Sequence, residues 1–277
     1  DLKAAGRRGV VLARVPDYGA ATVAEHTFAL ILGVTRRLRH CLDTRNRGRG
    51  ATERLRGLEL RGKTLGVVGT GRVGSMVLSI GRAFGMECVA FDKKPDTNLA
   101  ATLGFRYVSL DKLLRSSDIV TLHVPLNPRT RHLLSAKRLA RGKPGFILIN
   151  TARGALVDID ALLTGLQSGQ VGGVGLDVLE DDNAFRNDAS RIIGDQIVQK
   201  IHAMSTPGGD PLRREKRLRE LEGIMRNRQL LAHENVFFTP HVGFNSIEAI
   251  ERINLGTVQN IRDFLAGGLR PEAVVAP

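Results

Sequence analysis

The sequence predicts an α/β protein built on a doubly wound parallel sheet, and three observations carry that prediction. Short runs rich in Val, Ile and Leu recur between Lys63 and His241 and mostly do not alternate with polar residues, the pattern of strands buried on both faces. Segments with helical spacing separate these runs, the order that builds βαβ units. Two long amphipathic stretches flank the block, as helices joining it to a second, smaller domain would.

The elements follow in order. A helix is expected over Thr22–Leu38. Strands are expected over Thr64–Val68, Glu87–Phe91, Ile119–Val124, Phe146–Asn150, Val171–Val178 and Val236–Thr239, with helices over Val73–Phe84, Leu110–Arg115 and Asp158–Gln167 between them. A last helix is expected over Ser246–Leu265. The stretch Asn183–Leu231 is too long for an ordinary strand connection. It holds the breaker Thr206-Pro207-Gly208-Gly209-Asp210-Pro211 and then a charged, helix-like segment, Leu212–Arg228. The expected division is residues 22–244 for the central domain, with residues 1–21 and 245–277 forming the second.

Composition narrows the classes. Of the 277 residues 42% are apolar, enough to bury a core. No apolar run approaches the ~18 residues a membrane span needs, and Asp1-Leu2-Lys3 does not open a signal peptide. Cys41 and Cys88 are the two cysteines, without a CxxC spacing. They predict neither a disulfide framework nor a metal site and fit a reducing cytoplasm. The net charge of +13 gathers in Arg36–Arg61 and in Arg213–Arg219. Such clusters can bind polyanions. With 4% aromatics and no Trp there is no stacking platform for bases, so they read as solvated surface and nucleic acid is not an expected partner.

The chemistry begins at Gly69-Thr70-Gly71-Arg72-Val73-Gly74, which follows the first expected strand and opens a helix. In that context GxGxxG is the Rossmann dinucleotide fingerprint. Gly69 makes the tight turn, Gly71 lets the backbone approach a pyrophosphate, and Gly74 lets helix and strand pack closely. The next strand ends in Asp92, where the fingerprint wants an acid to accept from ribose hydroxyls and repel a 2′-phosphate. NAD is therefore the expected cofactor. Lys93 and Lys94 pull the other way, since they could accommodate a phosphate.

Further segments complete a set: Leu58-Glu59-Leu60-Arg61-Gly62-Lys63-Thr64, His123-Val124-Pro125, Asn150-Thr151-Ala152-Arg153-Gly154, Gly175-Leu176-Asp177-Val178, and Thr239-Pro240-His241. With the glycine turn, they make the chain resemble the D-isomer-specific 2-hydroxyacid dehydrogenases over its whole length. Pro16-Asp17-Tyr18 and the long segment before His241 lean toward the D-lactate dehydrogenase branch. The resemblance implies a Rossmann domain with an incomplete flavodoxin-like substrate domain, lacking most of the N-terminal part that the family has and with activity impaired accordingly. It also implies a homodimer, for which the apolar positions of Thr22–Leu38, more than one domain needs, supply a second argument.

The implied reaction gives each residue type a reason. A 2-keto acid is an anion, and the planar guanidinium of Arg153 can grip its carboxylate. His241 can give a proton to the developing alkoxide, because imidazole titrates near neutrality. The family orients that histidine with a Glu; here the matching position is Asp182, one methylene shorter, with Glu180 as the alternative partner. By the same resemblance Arg72 and Val73 lie along the pyrophosphate. His123, Val124, Pro125 and Thr130 lie beside the adenine ribose, Thr151 and Ala152 line the nicotinamide pocket, and Asp177 binds the carboxamide. Tyr18 faces substrate. His26, in Ala24-Glu25-His26-Thr27, reads as structural. Two other readings stand beside a reductase of small, pyruvate-like 2-keto acids: an NAD(H)-sensing, corepressor-like binding protein, and an inactive dinucleotide-binding remnant.

Overall fold

A computed structural model describes residues 2–42, 53, 55–180, 211–270 and 273–275. It divides into two compact units, Ala24–Gly243 and a smaller one of Asp1–Val23 with Phe244–Pro277.

The larger unit is a seven-stranded parallel sheet: β1 (Thr64–Val68), β2 (Glu87–Phe91), β3 (Arg106–Tyr107), β4 (Ile119–Leu122), β5 (Phe146–Asn150), β6 (Val171–Leu176) and β7 (Val236–Phe238). Its strand order is β3-β2-β1-β4-β5-β6-β7, with every pair parallel. The order reverses between β1 and β4, the switch point of a Rossmann fold. The expected strands are all present, three of them shorter at their carboxyl ends, and β3 is added at one edge.

Helices cover both faces because β1, β4 and β5 are buried through and need apolar cover on each side. On one face Phe28, Leu30 and Ile31 of α2 (Ala20–Thr35) and Val77 and Leu78 of α4 (Arg72–Ala83) pack on Leu65, Val67, Ile147 and Ile149. Between α2 and α4 lies the short α3 (Leu38–Leu42), and α5 (Thr97–Leu103) follows β2. The other face is covered by α6 (Leu110–Ser116), α7 (Ala136–Leu139), α8 (Ile159–Gln167) and α9 (Pro211–Ala232), through Leu113, Leu114, Leu139, Leu162, Leu166 and Leu230. The glycines of β6 let α2 lie close. A Cβ on Gly175 would stand 3.0 Å from Leu30 Cβ, and one on Gly173 2.6 Å from Val34 Cγ1.

Phe28, Leu30 and Ile31 of α2 are thus used by this unit's own core, while Ala29 and Leu38 of the Thr22–Leu38 stretch are exposed. Within the basic cluster Arg39 serves the fold itself. Its Nη1 donates to the carbonyls of Leu231, His233 and Val236 at 3.1, 2.9 and 2.7 Å, tying the end of α9 to β7. Arg45, Arg47, Arg49 and Arg54 lie outside the described residues.

The smaller unit holds α1 (Leu2–Arg7), the first residues of α2 and α10 (Ile247–Leu265), capped by Ser246, whose hydroxyl accepts from the N–H of Ala249. Ala13 and Val274 form an isolated antiparallel bridge. No sheet like that of a flavodoxin occurs in this unit among the described residues. No described helix is long and apolar enough to cross a membrane.

Candidate active site

The site is built at the carboxyl ends of the strands, where open α/β sheets bind ligands. β1 ends in the glycine turn. Gly69 has φ +96, and a Cβ there would meet the His123 carbonyl oxygen at 2.7 Å. A Cβ on Gly74 would stand 1.9 Å from the Gly69 oxygen. Around Gly71 nothing lies within 4 Å of the Cβ position, so that face of the turn is open. Gly71 is also the N-cap of α4 and gives its first turn no side-chain cap. The N–H groups behind Arg72 and Val73 therefore point toward a place where an anion is favoured. This is the cradle a pyrophosphate needs, and the residues present fit NAD.

Asp92, just past β2, is drawn back to the same turn. Its Oδ2 accepts from the N–H of Thr70 (2.8 Å) and the Thr70 hydroxyl (3.2 Å), and its Oδ1 from the N–H of Lys94 (3.0 Å). Burial opposes ionisation, but the donors of Lys94, Thr70 and Lys93 outweigh it and hold the carboxyl below its ordinary 3.8. Asp92 stays an anion, as discrimination against a 2′-phosphate requires. Tyr107, on β3, adds a hydroxyl 2.8 Å from that of Thr70, a neighbour that nothing in the sequence pattern marks.

His123 follows β4, with its ring Nε2 2.9 Å from the Thr121 hydroxyl. Burial pushes this imidazole from 6.5 down to about 3, so it is neutral. Val124 and Pro125 continue the loop. Thr130 is buried and staples it, its hydroxyl donating to the Pro125 carbonyl (2.7 Å) and accepting from the N–H of Asn127 (2.8 Å).

The ends of β5, β6 and β7 carry the other half. Register sets Asn150 beside Leu176 and Leu176 beside Phe238. Arg153, Asp177 and His241 therefore leave one sheet edge across neighbouring strands about 4.8 Å apart. Asn150 shapes the first turn, its amide donating to the Arg153 carbonyl (2.8 Å) and its oxygen accepting from the N–H of Ala152 (3.0 Å). Thr151 is buried against the Thr27 hydroxyl at 3.1 Å. Arg153 is exposed; its guanidinium donates to the Ala152 carbonyl (2.6 Å) and meets no carboxylate among the described residues.

Asp177 is the most heavily bonded group of the set. Its Oδ1 accepts from the Thr239 hydroxyl (2.6 Å) and the N–H of Val242 (2.9 Å), and its Oδ2 from the N–H of Gly243 (2.9 Å). His26 Nε2 lies 3.3 Å from Oδ1. Burial raises this carboxyl's pKa, and the donors of His26, Thr239, Gly243 and Val242 more than reverse it, to below 3.8. The carbonyl of Asp177 also accepts from the N–H of His241 (2.8 Å). His241 sits in the left-handed region at φ +55, a conformation a non-glycine residue keeps only when its surroundings impose it.

The strand before this acid stops at Leu176, not Val178, so the extended ladder does not continue to Glu180. Glu180 lies in a turn. Its carboxylate accepts from Arg131 (2.5 Å) and stands 3.1 Å from the His132 ring, and its carbonyl accepts from Asn227. Asp182 lies outside the described residues. Tyr18 belongs to the smaller unit, edge-on to Phe244 with ring centroids 6.4 Å apart.

The family model for "D-isomer specific 2-hydroxyacid dehydrogenase, NAD binding domain" matches residues 28–243, nearly the whole of the larger unit. The chain belongs to the D-isomer-specific 2-hydroxyacid dehydrogenases. It is accordingly an NAD-dependent oxidoreductase, with the D-lactate dehydrogenase branch among its relatives. It is 34% identical over 278 residues to a 2-hydroxyacid dehydrogenase homolog of Zymomonas mobilis, covering 99% of this chain and 75% of that one. Among solved structures, the pyruvate reductase of Chlamydomonas reinhardtii shares 38% identity with a TM-score of 0.80, over 97% of this dehydrogenase chain and 73% of that one. The D-lactate dehydrogenase of Aquifex aeolicus, solved with NAD and lactic acid, shares 34% identity with a TM-score of 0.75, over 96% and 73%.

Proposed function

We propose that this dehydrogenase interconverts small, pyruvate-like 2-keto acids and the corresponding D-2-hydroxy acids. The observation that carries the reading is the convergence of Arg153, Asp177 and His241 on neighbouring strand ends of the sheet whose β1 bears the glycine turn. NAD, held along Gly69–Gly74 with Asp92 on its ribose, supplies or accepts the hydride. Arg153, exposed and without a carboxylate partner among the described residues, holds the substrate carboxylate and polarises the neighbouring carbonyl. His241 donates the proton to the oxygen as charge develops there. Asp182 orients its ring, since the carboxylate of Glu180 is engaged by Arg131 and His132. Thr151 and Ala152 line the pocket, and Asp177 accepts from the carboxamide. Relatives named for pyruvate and D-lactate support the substrate class. The two free cysteines suit a cytoplasmic protein, and family kinship supports a homodimer, which sedimentation at micromolar concentration checks.

The test is NADH oxidation with a panel of 2-keto acids differing in side chain. Reduction of pyruvate-class acids is expected, lowered roughly 10²-fold or more by His241→Gln and strongly by Arg153→Lys, whose ammonium cannot make the paired contact. A folded, NADH-binding protein that reduces none of the panel would refute the reading.

A further inference from the structure

We propose that His26, on α2, is a positioning residue for the nicotinamide end of the site, acting through Thr239 and Asp177. The inference rests on the reading above that Asp177 accepts from the carboxamide.

Proton counting makes the first link. His26 Nε2 lies 2.8 Å from the Thr239 hydroxyl, which in turn lies 2.6 Å from Asp177 Oδ1. A hydroxyl has one proton, and the ionised carboxylate can only accept. Thr239 therefore donates to Asp177, its oxygen accepts from His26, and His26 Nε2 carries the proton. The same N–H is 3.3 Å from Oδ1. His26 thus fixes the hydroxyl's direction and, through it, the rotation of the carboxylate.

That rotation matters at two places. One is the 241–243 loop, held from both ends of residue 177: its carbonyl takes the N–H of His241, and its carboxylate those of Val242 and Gly243. The other is Oδ2, which accepts from the N–H of Gly243 and has lone-pair capacity for an amide N–H of the cofactor. Without His26 the Thr239 hydroxyl is free to turn to the Leu176 carbonyl, already 3.5 Å away. The carboxylate would then lose its shortest side-chain hydrogen bond, and with it the fixed orientation in which it accepts from Val242 and Gly243. His26 reaches this network from a helix 151 or more residues earlier in the chain, so it links α2 to two strand ends at once.

The adenine end is independent of this. Asp92 follows β2, four places from β6 in the sheet, or about 19 Å at the usual strand spacing. A general loosening of the fold would weaken both ends of NADH; loss of positioning would weaken one.

The experiment compares NADH with ADP-ribose, which lacks the nicotinamide ring, by calorimetric titration of the whole chain. His26→Leu should weaken NADH about tenfold, the scale of one hydrogen bond to a charged group, and leave ADP-ribose within about twofold. His26→Gln, whose amide supplies an N–H at similar reach, should keep most of the NADH affinity. Thr239→Val, which removes the middle of the relay, should reproduce the leucine result and serves if His26→Leu does not fold. Equal losses for both ligands, or a folded Thr239→Val that binds NADH as the wild type does, would overturn the proposal. If the wild type itself binds NADH no more tightly than ADP-ribose, the carboxamide reading of Asp177 fails and takes the proposal with it. A wild type that discriminates, with variants that discriminate equally, defeats His26 alone.

Discussion

The glycine turn can be tested by two alanines that should fail in different ways. At Gly74 an added Cβ would stand 1.9 Å from the Gly69 oxygen, where real Cβ atoms keep at least 3.0 Å. Helix α4 must then retreat from β1 by about 1 Å, a rearrangement on the scale of overpacked cores that cost ~1–3 kcal/mol. Stability and cofactor binding should fall together. At Gly71 the backbone is extended at φ −66 and ψ −167, which alanine adopts without strain, and nothing lies within 4 Å of the new methyl. Gly71→Ala should leave the thermal midpoint of unfolding almost unchanged. Yet its methyl would occupy the space through which the pyrophosphate approaches the N–H groups of α4. Charge-assisted hydrogen bonds are worth about 1.5–3 kcal/mol each, so loss of one should weaken NADH some 10- to 100-fold. Thermal unfolding and NADH fluorescence titration on the same preparations give both quantities. If Gly71→Ala binds NADH within twofold of the wild type, the pyrophosphate does not pass over this turn and the assignment of the cradle is wrong.

Asp92→Ala should relax the preference for NADH over NADPH by an order of magnitude or so, read as a ratio of dissociation constants, since Lys93 and Lys94 remain beside a site that has lost its anion. Asp177→Asn should lower stability at neutral pH by about 2 kcal/mol, because a buried acceptor of several donors becomes a neutral amide. The sign of its pH dependence follows from the depressed carboxyl. Its contribution is complete above the ordinary 3.8 and disappears as pH falls through the lower folded value. Wild type and variant should therefore converge in urea unfolding as the pH drops below 3.8, and a constant gap would contradict the direction of the shift. On the proposed pairing of Asp182 with His241, Asp182→Asn should reduce keto-acid reduction by about 10²-fold or more, increasingly at high pH, while Glu180→Gln changes it little. The reverse ranking would reassign the pair.

Much of this was legible in the residues, for identifiable reasons. Strands buried on both faces announce themselves as apolar runs, so β1, β2 and β5 begin and end where the runs do. The overshoot at β6 has a cause: Val178 and Leu179 stay buried after the ladder ends, and burial without hydrogen-bonded extension looks the same in sequence. β3 escaped because two residues at a sheet edge, one an exposed arginine, make no run at all. Helix α5 escaped for lack of any buried residue, although the Asp96 cap and Gly104 at φ +69 were visible marks of its two ends. The glycine turn and Asp92 were legible because their chemistry is local. His26 was not. Its partners are far along the chain, and nothing beside it marks the contact, so only the closed sheet brings them together.

The sheet order also sets a schedule. During synthesis β1 is made first and sits near the middle, with β2 and β4 as its neighbours on either side. The half of the sheet that bears the glycine turn and Asp92 can therefore pair while later strands are still unmade, in keeping with the amino-terminal-first assembly of chains leaving the ribosome. Asp177 emerges after His26 but before its other three donors, because Thr239, Val242 and Gly243 all come after α9. Until β7 docks, that carboxylate has every reason to stay in water. The last strand to be synthesised is thus the one that permits an acid to be buried beside β6, and a nascent chain acquires its dinucleotide cradle before it acquires the turn that holds His241.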